Sequence, residues 1–292
     1  RLDHRPSHRA LDDAWATTDL LHALLLCLLG QLLPVEHLEQ VFAEGLFHEQ
    51  RLRILRQYAD APRVRHAPAV GLEPAREYFY RFRAGSELSP TGRTKTAPVP
   101  GASVGALAFA FASCQMYEHG YYTAYRRMSE EDLDLVVHLG DYIYEYGPNQ
   151  YVAQSGNVRT HNSPEIFTLP EYRNRHALYK TDEDLQAAHA AFPWVVTWDD
   201  HEVENNYADG LPGGSLSAEK FLRRRAAAYQ AYYEHMPLRR TSVPQGPDMR
   251  LYRRLTYGNL VEFNVLDTRQ YRDDQAAGGG LDPPNPEQQD PS

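Results

Sequence analysis

Two short apolar segments of the sequence end in side chains that can bind metal ions. Residues 107–112 are followed by Cys114, and residues 133–139 are followed, after one glycine, by Asp141 and then by Tyr144. A carboxylate can hold two cations at the separation of about 3.5–4 Å that two-metal hydrolases use. A tyrosine phenolate suits a hard ferric ion, and a cysteine thiolate is a further metal ligand. The pattern predicts that Cys114, Asp141 and Tyr144 contribute to one metal site.

The same three side chains also have ordinary structural interpretations. An aspartate after a strand is typical of a solvent-facing turn. Tyr144 is one of 20 tyrosines and is a candidate core aromatic, and Cys114 fits a small buried hydrophobic residue. The glycine before Asp141 favours the metal site, because a glycine lets metal and substrate approach the backbone closely.

A denser set of ionisable residues, Asp199-Asp200-His201-Glu202, follows the apolar residues 192–198. Such a set is costly to bury unless its members are paired, solvated or bound to metal. We expect Asp200 to be a metal ligand, and His201 to serve a phosphate oxygen or leaving group as hydrogen-bond donor or general acid. Asn205 is a further candidate oxygen ligand. The alternative is a helix start, where the helix dipole favours acidic residues.

Strands are predicted to position these groups. Short apolar runs closed by such residues are typical of buried strands, and ligands at the carboxyl ends of these strands face the usual active-site crevice. The sequence therefore predicts an α/β fold in which strands ending at Cys114, Asp141, Asp200 and Asp267 converge. Periodicity and turn residues predict helices at 121–131, 169–178, 182–191 (opened by Thr181) and 217–233, and a hairpin of 251–255 with 260–266.

The sequence divides into three parts. Residues 1–60 form an atypical amino-terminal segment, predicted to be helical or poorly ordered. Residues 61–99 contain strand-like runs at 78–82 and 93–96 and resemble the last strands of a fibronectin type III-like sandwich, without the earlier strands of its usual seven or so. Residues 100–292, which follow a proline-rich linker, are predicted to form the α/β domain.

Composition excludes several classes of protein. The formal net charge of −9 argues against a general nucleic-acid binder, which needs clustered Lys and Arg. The cysteines, Cys27 and Cys114, are too few for a disulfide framework. The most apolar window, residues 20–35, is short for a membrane span of about 20 residues and is interrupted by His22 and Gln31. Acidic residues before this window, and the lack of an A-x-A site after it, leave no clear signal peptide.

Several long motifs in order resemble the PhoD-like alkaline phosphatase family of the calcineurin-like metallophosphoesterase superfamily. They are F-A-S-C-Q at 111–115, H-L-G-D-Y-I-Y-E at 138–145, E-Y-R-N-R-H-A-L-Y-K-T-D at 171–182, and F-P-W-V-V-T-W-D-D-H-E-V-E-N-N-Y at 192–207. The resemblance implies a four-layer αββα sandwich. It also implies a site of iron and calcium that hydrolyses phosphomonoesters and phosphodiesters with a metal-activated hydroxide. Such an enzyme would be secreted or periplasmic, exported through a twin-arginine signal.

The resemblance also implies roles for individual residues. Cys114, Asp141 and Tyr144 would hold iron, Asp141 and Asp200 would reach calcium, and His201 would stabilise the transition state or leaving group. Three arginines are candidate phosphate clamps, since the guanidinium fork matches phosphate oxygens. For each arginine, the alternative interpretation is an ordinary ion pair on the protein surface. These arginines are Arg173, Arg175 and Arg269.

The sequence departs from the family pattern in two ways. No twin-arginine signal is visible, and the late G-D-x-H or G-H-x-H block of the superfamily is missing, since no histidine follows His235. We expect that block to lie beyond Ser292, so that the sandwich is incomplete in a chain truncated at its carboxyl end. Two hypotheses follow: a phosphate-ester hydrolase, or an inactive truncated fragment that at most binds metal or phosphate. The sequence does not indicate an oligomeric state.

Overall fold

A computed structural model describes residues 71–274 except 82, 85 and 86, where strands and helices are mixed along the chain. The predictions made for residues 1–60 lie outside the described residues. The strands are β1 (Glu77–Tyr80), β2 (Arg83–Ala84), β3 (Glu87–Leu88), β4 (Gly92–Lys95), β5 (Phe109–Ala112), β6 (Leu135–His138), β7 (Trp194–Val196), β8 (Arg253–Tyr257) and β9 (Val261–Val265). The helices are α1 (Thr123–Ser129), α2 (Leu169–Tyr179), α3 (Glu183–Ala191) and α4 (Ala218–His235).

The central sheet is parallel, in the order β5-β6-β7. Helix α1 connects β5 to β6, and helices α2 and α3 connect β6 to β7. Strands β6 and β7 are almost entirely buried and, apart from His138, apolar, as expected for parallel strands covered on both faces. The three predicted strands are thus confirmed, each shorter than its apolar run, and their carboxyl ends lie at one edge of the sheet.

Strand β5 corrects one expectation, because the sequence predicted a buried strand there. Phe111 is 67% exposed and Phe109 is 44% exposed, whereas Ala110 and Ala112 are half-buried. The reason is position: β5 lies at the edge of the sheet, and alternate side chains of a strand point to opposite faces. On the phenylalanine face, Phe109 makes an edge contact with Phe263 of β9, with ring centroids 5.8 Å apart.

Helix α4 confirms the predicted helix at 217–233 and supplies much of the aromatic core. Its buried positions Phe221, Ala228, Tyr229 and Tyr232 recur at helical spacing and form one apolar face. The Tyr229 ring stacks on Trp198, just after β7, with centroids 4.2 Å apart and planes 7° apart. This packing fixes the segment that leaves β7 toward Asp200.

The described residues also form three antiparallel pairs of strands, β1 with β4, β2 with β3, and β8 with β9. Strand β8 pairs with β9 as the sequence predicted, through a turn at Gly258, whose φ of +56° favours glycine. Strand β1 pairs with β4, and an ion pair between Lys95 of β4 and Asp134 joins that unit to the start of β6. Within the described residues, no helix has the length and apolar character needed to cross a membrane.

Helix α3 is capped one residue later than the sequence predicted. The cap is Asp182, not Thr181: its carboxylate accepts the Leu185 N–H at 3.0 Å. The same carboxylate receives Arg159 Nη1 at 2.7 Å, and both side chains are largely buried. Asp182 thus provides an acceptor for a backbone N–H at the start of α3 and also pairs with the buried charge of Arg159.

Replacing Asp182 separates these two contributions. Asp182→Ala removes both the cap and the ion pair and is expected to lower the free energy of unfolding by about 3 kcal/mol or more. Asp182→Asn keeps a good cap but loses the charge, so its loss should be smaller. Urea unfolding of both variants measures the difference. Variants as stable as the unmodified chain would contradict this assignment.

Candidate metal centre

Asp141, Asp200 and His201 meet at the carboxyl ends of β6 and β7. One ligand atom from each residue lies within 4.8 Å of the other two, and both aspartates are buried. The meeting follows from the topology, since neighbouring parallel strands deliver their following loops to the same edge of the sheet. Two carboxylates and an imidazole at this spacing are a donor set that can hold a metal ion.

The backbone around Asp141 is tightly constrained. Gly140 has φ of +119°, and a Cβ atom there would stand 2.4 Å from the backbone nitrogen of Asp199, so only glycine fits. Asp141 and Cys114 both have φ near +54°, a region that residues with a Cβ rarely adopt. The Cys114 N–H donates to the Gly140 carbonyl at 3.0 Å. The loops after β5, β6 and β7 therefore converge closely.

The electrostatics of the cluster favour a cation. Burial raises the pKa of Asp141 to about 6, and the neighbouring charges of Asp200 and Asp199 also raise it, against a lowering by His201. Arg269 supplies one positive charge: its Nη2 lies 3.1 Å from Asp200 Oδ1, and its Nε contacts Asp199. A metal ion between Asp141 and Asp200 would stabilise the charged carboxylates further. The residues thus fit a metal.

His201 is held by a residue that sequence reasoning did not single out, Glu145. The Nδ1 atom of His201 lies 2.8 Å from Glu145 Oε2, and the Glu145 side chain is buried. Burial alone would lower the pKa of His201, but the hydrogen bond and charge of Glu145, with the charges of Asp200 and Asp141, raise it to about 9. Tyr144 stacks on the imidazole at 4.2 Å, and the Tyr146 ring approaches it edge-on.

The other predicted ligands occupy different positions around Asp141. The Tyr144 hydroxyl donates to Asp141 Oδ2 at 3.4 Å, and burial raises the pKa of that hydroxyl. Cys114 is exposed, and partial desolvation together with the charge of Asp141 raises the pKa of its thiol. Asn205 donates its backbone N–H to Glu145 Oε1 at 2.7 Å. Tyr144 thus contacts Asp141, Cys114 lies outside the group formed by Asp141, Asp200 and His201, and Asn205 contacts Glu145 through its backbone.

Of the three candidate phosphate clamps, Arg269 reaches the cluster and the two on α2 make other contacts. Arg173 forms a two-point pair with Glu234, with distances of 2.6 and 2.7 Å. Arg175 is fully buried and donates to backbone carbonyls, among them that of Tyr146 at 2.7 Å. The carbonyls of Tyr144 and Tyr146 belong to the segment after Asp141, and the others belong to residues 163 and 164, so Arg175 joins the site loop to that second segment.

The chain has a mixed α/β fold, with a cluster of two buried carboxylates and a histidine at its strand ends that could hold a metal ion. Residues 109–292 match the family model of the PhoD-like phosphatase, and residues 48–98 match that of the PhoD-like phosphatase N-terminal domain. The first match spans more than half of the chain. The chain belongs to the PhoD-like phosphatase family.

Relatives of known name agree with this assignment. The chain is 69% identical over 227 residues to alkaline phosphatase D of Bacillus subtilis (strain 168), an alignment that covers 78% of this chain and 39% of that protein. A solved structure described as the structure of PhoD matches with 71% identity and a TM-score of 0.73, covering 74% of this chain and 41% of that one. The chain thus spans about two fifths of the length of these relatives.

Proposed function

We propose that this chain carries part of the catalytic centre of a phosphate-ester hydrolase, an alkaline phosphatase or phosphodiesterase. The observation that carries the proposal is the cluster of Asp141, Asp200 and His201, with Glu145 holding the imidazole. The name of the Bacillus relative, alkaline phosphatase D, supports the reaction class.

Metal binding is assigned to the residues around Asp141. Asp141 and Asp200 would hold one or two cations, with Cys114 and Tyr144 beside Asp141 and Asn205 near the edge of the site. A cation bound there would activate water and withdraw charge from the phosphoryl oxygens. We propose iron on the side of Cys114 and Tyr144, since thiolate and phenolate suit ferric ion, and calcium between Asp141 and Asp200, since calcium takes oxygen ligands.

His201 and Arg269 are assigned to the substrate. Because Glu145 and the neighbouring aspartates raise the pKa of His201 to about 9, we assign His201 to the substrate in its protonated form and not to the metal. Because Nδ1 is bound to Glu145, Nε2 is the nitrogen that can donate to a leaving-group oxygen. Arg269 pairs with Asp200 of the cluster and with the adjacent Asp199, which places its guanidinium beside the proposed metal-binding carboxylates, where we assign it to a phosphate oxygen.

The larger architecture is part of the same proposal. The parallel sheet with helices in its connections is consistent with part of a four-layer αββα sandwich at residues 100–292. The pairing of β1 with β4 is consistent with a partial fibronectin-like domain at residues 61–99. We also propose that the whole protein is secreted or periplasmic, on the family resemblance alone.

The pairing of Glu145 with His201 makes a specific kinetic prediction. Glu145→Gln keeps the side-chain size but removes the charge that holds His201 protonated, so kcat should fall by about 10²-fold, within the usual range for a general acid. KM should change little, because His201 acts on the leaving group. Steady-state kinetics of the metal-loaded chain provide the measurement. The control is Glu171→Gln, in the capping box of α2, and equal kcat values for the two variants would refute the role of Glu145.

The proposed function is tested by metal content together with turnover. The purified chain is loaded with iron and calcium, its bound metal is quantified, and hydrolysis of a chromogenic phosphomonoester and a chromogenic phosphodiester is followed. We expect stoichiometric metal and turnover of at least one ester, both lost on chelation. Stoichiometric metal without turnover of either ester would refute the proposal and favour a chain that only binds.

A further inference from the structure

Glu202 is a buried carboxylate at the centre of the site to which the proposed mechanism gives no role. We propose that Glu202 is a positioning residue that fixes the loop carrying Asp141 against the loop carrying Asp200, and so sets the distance between the two metal-binding carboxylates. This inference rests on the proposed function only in its use of those two residues as metal ligands.

Three backbone N–H groups from two separate loops converge on the Glu202 carboxylate. Its Oε1 accepts the Tyr142 N–H at 2.5 Å, and its Oε2 accepts the Asp141 N–H at 3.1 Å and the Asp199 N–H at 2.9 Å. Glu202 is 0% exposed. Two of the donors belong to the segment after β6, and the third belongs to the segment after β7. One side chain therefore joins both strand ends.

The joined loop adopts a backbone conformation that needs support. Asp141 has φ of +54°, and a residue with a Cβ in that region costs on the order of 1–3 kcal/mol. Such a conformation persists where surrounding contacts over-determine it. Here the N–H of Asp141 and the N–H of the next residue both point to Glu202. Gly140, immediately before, lies against the backbone of Asp199 with no space for a Cβ atom.

The chemistry of the acceptor is specific. Burial and the charge of Asp141 raise the pKa of Glu202, and the three backbone N–H groups oppose that rise because they favour the ionised carboxylate. The ionised carboxylate only accepts hydrogen bonds and has about four lone-pair sites, enough for three donors. Hydrogen bonds to a charged acceptor are also about twice as strong as neutral ones. A glutamine amide has only one oxygen acceptor. Its NH₂ group would face at least one of the three backbone N–H groups, with which it cannot form a hydrogen bond. Glu202→Gln therefore preserves volume while it releases at least one of the two loops.

The matched control is Glu118, a second glutamate that is 0% exposed and also binds backbone N–H groups. Its carboxylate accepts the Asn149 N–H at 3.0 Å and the His161 N–H at 2.9 Å, and so holds the loop after residue 147. Glu118→Gln removes a comparable number of hydrogen bonds from a different loop. It separates general destabilisation from a specific effect on the metal-binding carboxylates.

The experiment measures binding of Ca²⁺ alone to the metal-stripped chain by calorimetry, together with Tm. We expect Glu202→Gln to weaken Ca²⁺ binding by about 10- to 100-fold, the usual effect of removing a group that orients metal ligands. Glu118→Gln should lower Tm without changing Ca²⁺ affinity. Equal Ca²⁺ affinity in the unmodified chain and Glu202→Gln would overturn the inference, and a chain that binds no Ca²⁺ at all would overturn it together with the metal assignment.

Hydrogen exchange on the unmodified, metal-free chain decides the question even if the variant does not fold. The amides of Asp141, Tyr142 and Asp199 should exchange slowly and with the same degree of protection, because loss of their shared acceptor exposes all three together. Rapid or unrelated exchange at these three amides would overturn the inference. Neither readout uses turnover, so a chain that meets both expectations but hydrolyses no ester would refute the proposed function and leave the role of Glu202 standing.

Discussion

Asp141→Asn is expected to lower kcat/KM for a phosphate ester by about 10³-fold in the metal-loaded chain. Asparagine keeps the shape of the side chain but removes its charge and one oxygen able to bind a cation. Metal ions contribute several kcal/mol of transition-state stabilisation, and each 1.36 kcal/mol corresponds to a factor of ten. The variant should also bind less metal, because Asp141 lies at the centre of the cluster formed with Asp200 and His201.

The control for this variant is Asp248→Asn, which also exchanges a carboxylate for an amide. Asp248 is largely exposed and pairs with Arg225 at 3.2 Å, outside the cluster. Its kcat/KM and metal content should match those of the unmodified chain. If Asp141→Asn retained kcat/KM to within about threefold at equal metal content, Asp141 would not be a catalytic metal ligand.

Acidification below pH 6.5 is expected to destabilise the chain steeply. Four buried histidines from four elements are linked by ring contacts, three of them to Tyr142 and one to another histidine, and we call them the histidine core. The members are His138 (β6), His176 (α2), His189 (α3) and His235 (α4). Burial lowers the pKa of His138 and His235 to about 3, and it lowers the pKa of His176 and of His189 well below the usual value.

The sign and size of this effect follow from proton linkage. The unfolded state takes up protons near pH 6.5, whereas the folded histidine core stays neutral, so the stability is complete above pH 6.5 and falls as the pH drops toward 3. Each histidine contributes up to about 1.4 kcal/mol per pH unit, and four contribute about 5 kcal/mol per unit. That loss over one or two units is comparable to the whole stability of a typical domain.

The surroundings of the histidine core explain why it stays neutral. Among the described residues, no hydrogen-bond partner is found for Nε2 of His138, for either nitrogen of His176 or for Nδ1 of His189. A proton added there would create a buried N–H⁺ group without an acceptor. The titratable and charged groups facing the histidine core are Tyr142, whose hydroxyl meets His189 Nε2 at 2.7 Å, with Tyr232, Lys180 and Arg173.

Thermal unfolding at pH 8, 7, 6 and 5 measures the effect. His176→Phe keeps an aromatic ring beside His235, whose ring centroid lies 5.0 Å from that of His176, but removes one titrating group. We expect Tm to fall sharply below pH 6, with a shallower fall in His176→Phe. A Tm that does not change between pH 8 and pH 5 would contradict the neutral state of the histidine core.

The strand ends could be predicted from sequence because buried parallel strands produce a simple pattern. Residues 133–139 and 192–198 are largely apolar runs followed by acidic residues. This pattern predicts two buried strands whose carboxyl ends lie close together. The exposure of Phe109 and Phe111 could not be predicted, since alternation within one strand does not say whether it lies at the edge or the centre of a sheet. Edge position depends on pairing with distant segments.

Side-chain partners were the least predictable part of the site. Glu145 lies four residues after Asp141, within the motif itself, but its partner His201 is 56 positions further along the chain. Its role therefore appears only when the two loops are brought together. Likewise Arg173 and Arg175 are two positions apart on α2, so they project in different directions, and sequence does not reveal which polar groups each direction offers.

The cluster is tested most directly by locating the metal. Crystals of the metal-loaded chain are used to calculate anomalous difference maps at the iron edge and at a longer wavelength where calcium scatters. We predict a peak within bonding distance of carboxylate oxygens of both Asp141 and Asp200, with the iron signal on the side of Cys114 and Tyr144. Metal bound in stoichiometric amount at another place, with no peak at this cluster, would contradict the account.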